Sequence, residues 1–346
     1  MASITPRRAA PGAVVITGAS AGVGRATARA FARRGFDLAL IARGTEGLEA
    51  ARREAEAAGV RAIALPADTA DAAGILAAAD RAAEVFGGIG TWVNAAMATT
   101  FAPVHDTRPE EYRRVTEVTY LGYVHGTLAA LRHMRPRNAG TIVQVGSALA
   151  YRAIPLQSAY CAAKFAIRGF TDSLRSELQH EGSRIRLTMV QLPAVNTPQF
   201  DWARSHMPRR AQPVPPIHQP EPVAERIVQA ALTAPRELWV GGATVKAILG
   251  TMLAPGLVDR LLARQGYDGQ MTQEPEPPGR PDNLMTPWPG DQGAHGRFDA
   301  RARDRAMAVD PDWLRAAAGL ALGLLLPLAW QGLTTPGQQR HGPPAR

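Results

Sequence analysis

Seven short apolar runs recur along the chain, at residues 13–17, 36–42, 60–65, 91–94, 141–145, 185–191 and 238–240. The longer stretches between them are rich in alanine and read as helices. Strands that are apolar throughout, rather than alternating, are buried on both faces, and strands that alternate with helices pair in parallel. Gly35 and Gly59 follow helical stretches, where a left-handed cap is wanted, and Thr45 stands where an N-cap would open the second helix. The pattern predicts an α/β domain over residues 10–262, built on a doubly wound parallel sheet of about seven strands.

Past residue 262 the pattern changes. Residues 266–312 hold 13 Pro or Gly in 47 positions and no apolar period. They predict an irregular tail over residues 263–312, and removal of residues 266–346 is expected to leave the domain folded. A short apolar helix is expected over residues 313–330, with Trp313 and Trp330 at its ends and Pro327 inside it. It is shorter than the roughly 20 residues that cross a bilayer. A membrane-associated segment with interfacial tryptophans and a helix docked on an apolar groove both stay open.

Composition narrows the function. The hydrophobic content of 46% rules out global disorder, and a single cysteine, Cys161, rules out a disulfide scaffold and fits a reducing compartment. The formal charge is +9, yet only two of the 39 cationic residues are lysines, Lys164 and Lys246. The arginines are scattered and not interleaved with aromatics, so the charge does not read as a nucleic-acid surface. The eight histidines show no HxxxH pairing, and no metal site is expected. Residues 1–11 lack the apolar run of a secretory signal, which predicts a cytoplasmic protein unless residues 313–330 attach it to a membrane.

The first apolar run leads into Thr17-Gly18-Ala19-Ser20-Ala21-Gly22-Val23-Gly24 and then a helical stretch. A strand, a glycine-rich turn and a helix N-terminus together form a phosphate site, because glycine lets the backbone approach the anion while free N–H groups and the helix dipole attract it. The arrangement predicts a dinucleotide-binding Rossmann fold. Further on, Ser147 closes the fifth run, Tyr160 follows thirteen residues later, and Lys164 stands four beyond that on the same helical face. A phenol has an ordinary pKa near 10, and a nearby ammonium lowers it by about 1–3 units, which would let Tyr160 act as a general acid. In a chain that writes arginine almost everywhere, a lysine at this position stands out.

The TGxxxGxG turn and the Ser, Tyr and YxxxK spacing resemble the short-chain dehydrogenase/reductase superfamily over residues 10–245. The resemblance implies an oxidoreductase acting on a small carbonyl or alcohol substrate, with Ser147, Tyr160 and Lys164 catalytic and a homo-oligomeric assembly. It also implies cofactor contacts from Gly18, Ser20, Gly22, Val23, Gly24, Asp68 (adenine), Asn94 (adenine ribose), Tyr160, Lys164, Val195 and Thr197. Where an acid would select NAD, the second strand ends in Ala42-Arg43, and a guanidinium there suits a 2′-phosphate, favouring NADP(H). The chain departs from the family at Thr119, where Asn is usual in the catalytic set, at Ala95 and Met97, and in lacking a PG segment before Val195. These departures keep a second reading open, a non-catalytic NADP-binding sensor or scaffold. Residues 199–220 read as a loop over the substrate.

Overall fold

The computed structural model describes residues 12–313 and Ala316. Its main sheet has eight strands: β1 (Ala13–Thr17), β2 (Leu38–Ala42), β3 (Ala62–Pro66), β4 (Ile89–Asn94), β5 (Thr141–Val145), β6 (Arg186–Gln191), β7 (Glu237–Val240) and β8 (Ala308–Val309). They lie in the order β3-β2-β1-β4-β5-β6-β7-β8. The first seven are parallel and match the apolar runs, whereas β8 joins antiparallel, with Val309 opposite Trp239 and Ala308 opposite Val240.

Every residue of β1, AVVIT, and β2, LALIA, is buried, as central strands covered on both faces require. Alternate side chains supply two cores. Val14 and Ile16 pack with Phe31 of α1 (Gly22–Ala32) and with Val223 and Ile227 of a later helix, Pro220–Thr233. Val15 faces the other way, toward Ile75, Trp92, Leu131 and Leu174. The helices that follow α1 are α2 (Thr45–Ala57), α3 (Ala72–Phe86), α4 (Pro109–Val115), α5 (Gly122–Met134), α6 (Ser158–His180), α7 (Pro220–Thr233), α8 (Gly242–Leu253) and α9 (Pro255–Gln265). Between α4 and α5 the chain makes a π-helical turn, Thr116–Leu121. Gly35 and Gly59 take φ of +77° and +88°, as the cap reading expects. Thr45 does not cap α2: it is the first helical residue, and Gly44 holds the N-cap position.

The tail departs most from expectation. The compact unit runs through Val309, not to residue 262, and residues 310–346 form a second unit. Leu284 is fully buried with Ala98, Val115, Val118 and Ala159. Met271 and Phe298 join Phe101 and Phe200 in another cluster. The segment lacks an apolar period because its few buried apolar side chains stand far apart in the chain and are divided between clusters. Arginines tie the segment to the rest of the unit in both directions: its own Arg280 donates to the Ala203 carbonyl at 2.6 Å and Arg297 to that of Ala211 at 2.9 Å, while Arg226 of α7 donates to the Ala306 carbonyl of the tail at 3.0 Å. Apart from Trp313 and Ala316, the apolar segment expected over residues 313–330 lies outside the described residues. No helix among the described residues is long and apolar enough to cross a membrane.

Candidate active site

At the carboxyl ends of the parallel strands lies a cavity of about 620 Å³. Its floor is the turn between β1 and α1. Gly18 and Gly22 have φ of +72° and +55°, and a Cβ on Gly24 would lie 2.1 Å from the Gly18 carbonyl oxygen, so the sharp reversal needs glycine at these points. A Cβ on Gly22 would stand 3.2 Å from Thr197 Cγ2 on the opposite wall, narrowing the space a pyrophosphate would take. The residues fit a dinucleotide: a small-residue cradle beside a helix N-terminus, continuous with a lined cleft. Among the described residues, no group of three or more His, Cys, Asp or Glu is gathered to hold a metal ion.

The cavity gathers nearly every site residue expected from the sequence. Gly18, Ser20, Gly22, Val23, Gly24, Arg43 and Asp68 line one half, and Ser147, Tyr160, Lys164, Val195 and Thr197 line the other. Asp68 accepts a hydrogen bond from the Ala70 amide at 3.0 Å and pairs with Arg114. Burial pushes its carboxyl up, but the Ala70 amide and Arg114 outweigh that and leave it below the usual range.

Two expectations need correction. Asn94 does not offer its side chain to the cavity: it is fully buried, accepting from Trp92 Nε1 at 2.8 Å and donating to Gln144 Oε1 at 2.9 Å and Thr127 Oγ1 at 3.2 Å. A side-chain amide with that many interior partners pins β4 to its neighbours, and Ala95, Ala96 and Met97 line the cleft in its place. Thr119 does not reach Lys164 either. Its hydroxyl accepts from the Ala98 amide and donates to the Ala98 carbonyl, each at 2.9 Å, so it clamps the loop after β4 from behind. It sits in the π-helical turn, a feature that recurs at functional sites.

The group that meets Lys164 is Tyr123, one helical turn beyond Thr119. Lys164 Nζ donates to the Tyr123 hydroxyl at 3.2 Å and to the Val145 carbonyl at 2.8 Å, and Tyr123 donates to that same carbonyl at 2.9 Å. Nζ lies 5.4 Å from the Tyr160 ring centre. Burial lowers the Lys164 ammonium to about 7. Tyr160 departs from the sequence expectation of a lowered phenol: burial raises it well above its ordinary value, with a hydrogen bond to Ser147 pulling the other way. Burial also lifts the Cys161 thiol to about 11, leaving it an inert packing residue.

Behind Ser147 is a second layer that motif spacing did not reveal. Gln191 Oε1 accepts from the Ser147 amide at 2.7 Å, while Gln191 Nε2 donates to Glu237 Oε1 at 2.6 Å, and Tyr151 donates to Glu237 Oε2 at 2.6 Å. Gly146 has to be glycine, since a Cβ would fall 2.2 Å from Gln191 Oε1. The available signal was a Gln at the buried end of the sixth run. The far end of the cavity is lined by Leu149, Phe200, Trp202, Val214, Val258 and Leu261, so residues 199–220 do overhang it as expected.

A profile of the short chain dehydrogenase family matches residues 12–207. The chain belongs to the short-chain dehydrogenase family. This short-chain dehydrogenase is 35% identical over 77% of its length to an uncharacterized oxidoreductase, YxnA, of Bacillus subtilis, spanning 75% of that protein. It is also 35% identical to cis-4-hydroxycyclohexanecarboxylate dehydrogenase of Sinomonas cyclohexanicum, over 64% of this chain and 89% of the relative. A solved alcohol dehydrogenase from the archaeon Thermococcus sibiricus, complexed with 5-hydroxy-NADP, superposes with a TM-score of 0.57 at 28% identity, covering 66% of this chain and 95% of that one. The chain is thus an oxidoreductase of the α/β Rossmann type, acting on alcohol or carbonyl groups of small molecules.

Proposed function

We propose that this dehydrogenase is an NADP(H)-dependent carbonyl reductase, working as an alcohol dehydrogenase in reverse, with Tyr160 as the proton donor. The observation that carries the reading is the convergence of Ser147, Tyr160 and Lys164 on one wall of a cavity continuous with the glycine turn. A bound nicotinamide dinucleotide would supply the hydride. Its pyrophosphate would rest on Gly22, Val23 and the start of α1, its adenine beside Asp68, its nicotinamide against Val195 and Thr197, and its 2′-phosphate near Arg43, the cation at the end of β2.

The protein's own part is to hold the carbonyl and deliver a proton. Tyr160, raised by burial, stays protonated at neutral pH and would donate from its hydroxyl to the substrate oxygen, while Ser147 fixes that oxygen by a hydrogen bond. Lys164, with a pKa near 7, exchanges protons at neutral pH and would restore the Tyr160 proton. Gln191 and Glu237 position Ser147 through its amide. The apolar far wall suits a substrate with a hydrocarbon body, and the hydroxycyclohexanecarboxylate relative makes cyclic oxo-acids the first compounds to try. NADPH oxidation against a panel of ketones and aldehydes, 4-oxocyclohexanecarboxylate included, tests the reading. Turnover that is lost in Tyr160→Phe supports it. A blank panel with tight NADPH binding favours the sensor or scaffold.

A further inference from the structure

The sequence between Asp282 and Phe298 lies beyond the stretch that the family profile matches, yet it borders the half of the cleft that holds the glycine turn and Arg43. At one end, Arg43 donates to the carbonyls of Asn283 (2.6 Å), Met285 (3.1 Å) and Leu284 (3.3 Å). Arg114, the partner of Asp68, donates to the Leu284 carbonyl as well, at 3.0 Å. The chain then crosses the start of α2, where a Cβ on Gly44 would lie 3.7 Å from Pro287 Cβ and one on Gly47 the same distance from the Gly290 carbonyl oxygen. At the other end, the Gly22 amide in the turn donates to the Gly293 carbonyl at 3.0 Å. Asp291 pairs at 3.2 Å with Arg25, a fully buried arginine that also donates to the Ser20 carbonyl in the turn and the Gly47 carbonyl in α2.

The strap roofs the cleft and does not fill it. Asn283, Pro287, Trp288, Gly290 and Gln292 line the same cavity as Gly18, Arg43 and Asp68. Its shape is set by its residues. Pro287 and Pro289 restrict φ, and Gly290 and Gly293, at +78° and +61°, make the reversals between them. Leu284 anchors it in a buried cluster.

We propose that residues 283–293 form the outer wall of the adenosine half of the dinucleotide site, enclosing a bound cofactor between the strap and the glycine turn. This rests on the dinucleotide reading of the cleft and not on the choice between NADP and NAD. A cofactor under the strap leaves only when the strap lifts, so weakening its anchors speeds release. The test is a chase experiment on the full-length protein. NADPH or NADH is preloaded, displaced by excess oxidised cofactor, and followed by energy transfer from tryptophan to the nicotinamide. In a Leu284→Ala/Asp291→Ala variant that keeps the far-ultraviolet circular dichroism of the wild type, dissociation is expected to be at least about tenfold faster. An unchanged dissociation rate overturns the proposal. Should that variant not fold, hydrogen exchange on the wild-type chain decides: amides of residues 283–293 are expected to slow several-fold when the cofactor binds, and exchange that does not change overturns the wall. A titration in which neither dinucleotide binds overturns the cofactor reading itself, and the strap proposal with it.

Discussion

Lys164 is held where an ammonium is poorly solvated, and this has a cost that can be read from pH. Its folded-state value is about 7 against roughly 10.4 in an unfolded chain. Below pH 7 both states carry the proton and the folded state bears the whole penalty. As pH rises from 7 toward 10.4 the unfolded chain binds the extra proton, so stability rises over that window. At about 1.36 kcal/mol per unit the penalty is on the order of 5 kcal/mol. Lys164→Met is therefore expected to melt higher than wild type at pH 6, with the margin shrinking above pH 7, and to lose turnover. Denaturant melts at pH 6 and pH 9 measure it, and a margin that does not depend on pH would assign Lys164 an ordinary surface-like titration. Tyr160→Phe removes the proton donor without changing volume greatly, so folding and NADPH binding should persist while turnover falls by roughly 10² to 10⁴. For cofactor choice, Arg43→Asp should move the NADP-to-NAD ratio of kcat/KM toward NAD, because a charge-assisted phosphate contact is worth about 1.5–3 kcal/mol and the new carboxylate repels phosphate. The wild-type ratio would show that the strap carbonyls, and not a phosphate, are what Arg43 serves.

At the scale of the element, the turn after β1 and the π-helical turn before α5 carry the most constraint. Gly24→Ala puts a methyl group against the Gly18 carbonyl, a backbone atom that cannot move aside without opening the turn. The expected cost is about 1–3 kcal/mol or more, together with loss of dinucleotide binding by titration. Thr119 stabilises the loop that lines the cleft with Ala95, Ala96 and Met97. Thr119→Val keeps its shape but strands the Ala98 amide and carbonyl in the interior. A loss of about 1–3 kcal/mol in thermal or denaturant melts is expected. Thr119→Asn tests a catalytic role: unaltered kcat in a folded variant matches a hydroxyl that only clamps the loop.

The whole molecule is decided by its tail. A chain ending at Val309 keeps the compact unit and should fold and bind cofactor as the full chain does. A chain ending at Leu262 loses β8 and the buried side chains of Met271, Leu284 and Phe298, each worth about 1.5–3 kcal/mol of burial. Against a total stability of 5–15 kcal/mol that deletion should leave an unfolded or aggregating product. Calorimetry and sedimentation of the two truncations compare them directly, and a folded 1–262 fragment would return the tail to the irregular linker its composition suggests. Membrane fractionation of the full chain beside the fragment ending at Val309 tests residues 313–330: pelleting of the full chain alone marks that segment as an anchor.

The seven parallel strands, the glycine turn and the Ser147, Tyr160 and Lys164 set were legible in the sequence because each depends on local rules. A strand covered on both faces must be apolar throughout, a sharp turn at a phosphate needs glycine, and two residues four apart on a helix share a face. What only the tertiary structure decided are contacts between distant segments. Tyr123 meets Lys164, and Gln191 and Glu237 stand behind Ser147, because three parallel strands and two helices bring separate positions together, and no spacing in the chain records that. Asn94 turned inward because Trp92 and Gln144 in the sheet and Thr127 and the Tyr123 carbonyl in α5 offered its amide polar partners. The order of the tail was hidden for the same reason. A segment rich in Pro and Gly shows no period, and its carbonyls find their donors in arginines up to 242 residues away, such as Arg43 at Met285. Pattern along the chain reports which face a residue must hide, while the partner of a lone guanidinium or carbonyl exists only once the chain has folded.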